Sequence, residues 1–184
     1  MLYRETLVRE NQQCLQQAID LLEQITDELY CNNDGPHFMS GVGKHIRHIL
    51  DFYANFLSGW NAQIDYDARK RESRLEKDRG FCVQNIREVM EALDSIPDEA
   101  SEPGKRLPVK NDEIGHGDAL FCFSTLDREL QFLKFHAVHH YAMTAMILRI
   151  QGFEPPKDFG FAPSTLEYLK KLKAEDFNDQ SPGA

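Results

Sequence analysis

The chain has 184 residues, 41 % of them apolar and 28 % charged, which is enough for one soluble domain with a core of its own. A net charge of −9 argues against a nucleic-acid partner, which would need a basic surface to meet its phosphates. Cys14, Cys31, Cys82 and Cys122 are widely spaced with no CxxC pair, so reduced thiols in the cytoplasm are expected, and neither disulfides nor a cysteine-based zinc site.

The opening MLYRETLVREN has no basic segment followed by an apolar run, so no secretory signal is expected. From about Leu2 to Tyr30, the residues Leu15, Ala18, Ile19, Leu22, Ile25 and Leu29 recur at three and four and predict the first helix. CNNDGP, residues 31–36, ends it, because Asn, Gly and Pro together break helices. The second predicted helix runs from about Met39 to Trp60. Val42, Ile46, Ile49, Tyr53 and Phe56 form one apolar stripe, with His45, His48 and Phe52 on a second stripe beside it and Asp51 and Asn55 at its edge.

Gly59 to Arg74 is polar, and its basic residues Arg69, Lys70, Arg71 and Arg74 are flanked by Asp65, Asp67, Glu72, Glu76 and Asp78. This reads as a solvated, salt-bridged turn and not as a nucleic-acid patch. A third helix follows from about Leu75 to Leu93, with Cys82, Ile86, Val89, Leu93 and Ile96 as its stripe and Pro97 as its stop. Residues 97–123 form a long connection, in which Arg106–Lys110 and Ala119–Phe123 predict a small hairpin around a Gly-rich turn. Ser124 or Thr125 caps the fourth helix, and Gly152 ends it before Pro155 and Pro156. A turn and a short helix capped by Ser164 come next, then a polar tail, 174–184. Four helices of roughly 20 residues predict an all-α four-helix bundle, a single domain over 1–173, with a long crossover between helices 3 and 4.

The fourth helix carries the chemistry. From Phe135 to Leu148 it has no Asp, Glu, Lys or Arg, yet it is too short and too rich in histidine to span a membrane. It is expected to be buried on more than one face, and a homodimer is the simplest way to cover it. His136 and His140 are four apart, which stacks their side chains about 5–6 Å apart at Cβ, a spacing that chelates one ion. A third ligand is wanted, and His48 on the second helix is the best donor, because packed helix axes stand about 8–10 Å apart. Three neutral histidines leave a divalent ion its full charge and an open position, as in catalytic sites. The plainer reading of each histidine is a hydrogen-bonded core residue. His139 and His45 read first as packed groups or neighbours of the site, and His37 and His116 as solvated loop residues. Ala137 follows His136, so the HExxH of zinc peptidases is absent; Glu113 and His116 make the one ExxH pair, too few for a di-iron bundle. Glu129 falls on the His136 face, about 10 Å along the axis, and a salt bridge to an arginine such as Arg47 is expected for it. Asp51, Tyr53, Glu129 and Tyr141 are the candidates for lining or supporting a pocket; no general base stands out.

The pieces GVGKHIRHILDFY, IDYDARKR, STLDREL with HAVHHYAM, and FGFAPSTLEYL resemble the DinB/YfiT-like superfamily of candidate metalloenzymes over nearly the whole chain. The resemblance implies a four-helix bundle with one divalent metal held by a histidine of the second helix and an HxxxH pair of the last, here His48, His136 and His140. Many members read HRGQ from the last ligand on, where this chain has His140, Tyr141, Ala142 and Met143, so no role of that Arg and Gln carries over. The resemblance further implies zinc, nickel or iron, and for some members a transferase or isomerase reaction with a low-molecular-weight thiol such as bacillithiol or mycothiol. The expected function is a cytoplasmic metal-dependent enzyme in which an activated thiol or water attacks a small electrophilic substrate. The competing expectation is a non-catalytic metal-binding or stress-related scaffold.

Overall fold

Apolar residues spaced at three and four wind α1, Tyr3–Gln24, and bury Leu7, Leu15, Ala18, Ile19, Leu21 and Leu22. The computed structural model describes residues 3–33, 35, 37–68, 70–97, 105–111, 120–162, 165–169, 171 and 172. The first predicted helix is divided. Thr26 stands in extended backbone and its hydroxyl accepts from the Leu29 amide at 3.3 Å, so a new helix, α2, Asp27–Cys31, starts there. Helix α3, Val42–Gly59, starts three residues later than expected, because Gly41 is an extended N-cap.

Gly43 lies where a 3-10 turn, Ser73–Glu76, crosses α3. A Cβ there would stand 2.5 Å from the Glu76 carbonyl oxygen, a backbone atom that cannot rotate away. Alanine gains about 1 kcal/mol of helix propensity, but the overlap costs more, so Gly43→Ala is expected to destabilise by about 1–2 kcal/mol. Urea unfolding checks it: a midpoint at or above wild type would mean the turn is not held against α3.

The third predicted helix starts late for a similar capping reason. Asp78 accepts from the Phe81 amide at 2.8 Å, so Leu75 sits in the 3-10 turn and α4 runs Arg79–Asp94. Strands β2, Leu107–Asn111, and β3, Leu120–Ser124, pair antiparallel from Leu107↔Ser124 to Asn111↔Leu120. That is the expected hairpin moved by one residue. Its Gly-rich turn, with Glu113 and His116, lies outside the described residues, as do Arg69, Ser164 and the tail 174–184. A third strand, β1, Ile64–Asp65, pairs parallel with β2 through Ile64↔Val109. This strand falls in the segment whose charge predicts a solvated turn. Thr125, and not Ser124, caps α5, Leu126–Ile150, by accepting from the Arg128 amide at 3.2 Å.

The chain is therefore mostly helical with a small three-stranded sheet. Helix α5 packs on α1 and α3, and α4 packs on the same two. A buried network ties three of these helices together. Asn11 Nδ2 donates to the Leu7 carbonyl at 2.8 Å and to the Leu130 carbonyl at 3.0 Å, and the Tyr53 hydroxyl donates to Asn11 Oδ1 at 2.7 Å. Among the described residues no helix is long and apolar enough to cross a membrane. Nor is α5 covered all round within this chain: Phe135 is 53 % exposed and Met146 63 %. The charge-free stretch thus has one buried face, carrying Ala137, Tyr141, Ala145 and Leu148, and one open face.

Candidate metal centre

The packing of α3 against α5 brings His48 to His136 and His140. All three are half-buried, and one ring nitrogen of each lies within 4.8 Å of the others. Among the described residues this is the one such group of His, Cys, Asp and Glu. His136 and His140 approach through Nε2 at 3.0 Å, and the His48 ring centroid is 5.0 Å from that of His136 and 4.5 Å from that of His140. Nitrogens about 2.0–2.1 Å from one tetrahedral ion stand roughly 3.3 Å apart, so the His136–His140 edge is already of that size. The third imidazole, His48, offers a ring nitrogen within the same 4.8 Å. The donor set fits a divalent ion that accepts imidazole, of the zinc, nickel or iron kind.

The electrostatics suit the same purpose. Burial first, and then the neighbouring rings of His136, His48, His45 and His139, push His140 down to about 3. The ring is therefore neutral at neutral pH, the form in which imidazole ligates. His45 is buried, and its Nδ1 lies 3.0 Å from Nδ1 of His140. Its own pKa is lowered, chiefly by burial and also by His139, with the Ser40 carbonyl pulling the other way. His45 is thus a direct partner of His140. His139 differs from expectation: it is exposed and meets His140 only at 5.2 Å between ring centroids, because one residue of helical offset turns it outward.

Aromatic rings wall the His136 side. Phe52 lies 4.1 Å from the His136 ring, and Phe132 stacks on it at 5.5 Å with planes only 7° apart. Tyr66 stacks on Phe52 at 5.0 Å. The Tyr66 hydroxyl donates to Glu129 Oε2 at 2.7 Å, and burial followed by the Glu129 charge raises its pKa, so it stays protonated. The expected Glu129–Arg47 salt bridge does not form. Arg47 turns to Glu76 and, at 3.9 Å, to Asp51 on its own helix.

The other candidates divide cleanly. Asp51 faces Arg47. Tyr53 serves Asn11, and the Tyr141 hydroxyl donates to the Cys14 carbonyl at 3.1 Å while its ring stacks on Phe159. Both tyrosines are core. His37 is exposed, as expected, and Arg74 pairs with Asp78 at 2.9 Å within its turn. Two members of the site escaped sequence reasoning. Phe132 precedes His136 by four, so helical spacing already placed it over that ring. Tyr66 sits in a charged segment whose only signal was an aromatic residue among acids and bases.

Comparison with known proteins places this geometry in context. The model of the DinB family matches residues 1–169. The chain is also similar to FK506-binding protein 5 of Rhizopus delemar, with 31 % identity over 108 residues. That match covers 59 % of this chain and 28 % of the fungal protein, so the chain spans well under a third of that relative's length.

Proposed function

This chain belongs to the DinB family, and from that premise we propose that it is a metal-dependent enzyme whose single divalent ion is held by His48, His136 and His140. The observation that carries the reading is the convergence of three imidazole nitrogens, from two helices, within 4.8 Å. A zinc, nickel or iron ion held there would supply Lewis acidity and so lower the pKa of a small thiol or a water. We read the reaction as transfer of a low-molecular-weight thiol, or of water, to a small electrophilic substrate. The chain's own part is to present His140 neutral, to brace it with His45, and to keep water from one side of His136 with Phe52 and Phe132.

The four long helices are taken as a four-helix bundle. The pairing of both α4 and α5 with α1 and α3 supports this. A homodimer through the open face of α5 is proposed as well, on the exposure of Phe135, Met146 and Ile150. A single monomeric boundary in sedimentation velocity would remove the dimer.

Elemental analysis tests the centre itself. Wild type is expected to hold about one ion per chain, as a three-histidine site requires, and His140→Ala to hold a small fraction of that. Absence of stoichiometric metal from both, with unchanged stability, would sink the metal reading. Assays of the loaded protein with a panel of small thiols and electrophiles then separate an enzyme from a metal-binding scaffold.

A further inference from the structure

Beside the histidine cluster lies a cavity of about 420 Å³ whose lining includes Phe52, Tyr66, Phe132, Lys110, Arg128 and Glu129. Phe52 and Phe132 line it and also meet His136, so the cavity is about one aromatic ring away from the cluster. Its mouth carries charge of both signs: Arg128 and Asp67 are exposed there, and Lys110 is engaged by Asp65 at 3.0 Å.

Glu129 is the group that needs an explanation. It is 7 % exposed, and the contact described for its carboxylate is the Tyr66 hydroxyl on Oε2. One hydroxyl donor fills only one of the several acceptor positions of a carboxylate and leaves others for the cavity that Glu129 lines. Among the described residues no cation forms an ion pair with it: Lys110 pairs with Asp65, Arg47 with Glu76 and Lys134 with Glu10, and Arg128, which lines the same cavity, stands exposed at its mouth. The cavity that Glu129 lines is walled in part by Phe52, Tyr66 and Phe132, whose rings pack on one another, and aromatic rings attract a cation and repel an anion at their faces. A buried carboxylate on a cavity partly walled by aromatic rings is matched by a protonated amine.

We propose that this cavity is the substrate subsite of the metal centre and takes a small molecule bearing a protonated amine, with Glu129 as its counter-ion and Phe52, Tyr66 and Phe132 around it. The term substrate rests on the metal-dependent reading above; binding of the amine does not. Tyr66 is the positioning residue, since its hydroxyl fixes one carboxylate oxygen and leaves the other for the ligand.

The test uses benzylamine, protonated at pH 7, against benzyl alcohol, its neutral counterpart, by calorimetry or ligand-detected NMR on metal-free protein. Benzylamine is expected to bind at least about tenfold more tightly, as charge-assisted hydrogen bonds require. Glu129→Gln is expected to abolish that preference while its metal content stays at the wild-type level. Equal binding of the two probes, binding of neither, or a preference retained in Glu129→Gln would overturn the proposal. Because these measurements are made without metal, and metal content is read separately, failure here is distinct from failure of the three-histidine centre. Should Glu129→Gln unfold, Phe132→Ala serves in its place and is expected to weaken benzylamine by a smaller factor; no change would count against the cavity.

Discussion

Zinc added to the metal-free protein is expected to raise its unfolding midpoint by roughly 5–10 °C at about 100-fold excess over the dissociation constant, and His48→Ala is expected to show little rise. The size follows from linkage. An ion that binds only the folded chain at that excess contributes about 2.7 kcal/mol, and each kcal/mol moves a domain of this length by roughly 2–4 °C. The specificity follows from geometry. His136 and His140 sit four apart on one helix, so a locally helical segment could retain weak affinity without the rest of the fold. His48 comes from α3 and closes the site across the α3–α5 packing. Removing it leaves a two-histidine site that no longer ties the helices together. Thermal melts across a zinc titration decide the matter. An equal rise in wild type and His48→Ala would show that α3 contributes no ligand.

Asn11→Ala is expected to cost about 2–4 kcal/mol, which lowers the midpoint by roughly 5–15 °C. Asn11 is fully buried and uses both ends of its amide, donating to α1 and α5 and accepting from Tyr53 on α3. Truncation leaves the Tyr53 hydroxyl without its acceptor and opens a void among three helices. Tyr53→Phe should be milder, about 1–2 kcal/mol, because it strands one acceptor and leaves no cavity. If Asn11→Ala proves no worse than Tyr53→Phe under chemical denaturation, the two donor bonds of Asn11 contribute nothing measurable. The variant also reports on the site indirectly, since the same network sets α5 against α3, where the histidines meet.

What could be read from the chain alone has a physical boundary. Helices were legible because apolar spacing is local, and the three histidines followed from helical spacing plus one guess about which helices face. The break at Thr26 was not legible, since a capping threonine inside an apolar pattern leaves the pattern intact. Strand β1 was hidden for a different reason. Two residues, Ile64 and Asp65, make no periodicity, and their partner β2 lies more than forty positions on in the register Ile64↔Val109. The aromatic cavity depends on that pairing, because β1 delivers Tyr66 and β2 delivers Lys110 to the same wall. Arg47 was assigned to Glu129 on charge alone, and the 3-10 turn that presents Glu76 to it has no signature in the sequence.

His140 stands between two other imidazoles, with Nε2 toward His136 and Nδ1 toward His45, each at 3.0 Å. A neutral imidazole holds one proton and one lone pair, so it cannot offer a lone pair in both directions. An ion held at the three-histidine site through the Nε2 of His140 would claim that lone pair and so fix the proton on Nδ1. His45 would then turn the lone pair of its Nδ1 toward His140 and carry its proton on Nε2. Loading the site would thus select the tautomers of two histidines at once, and only one of them touches the metal.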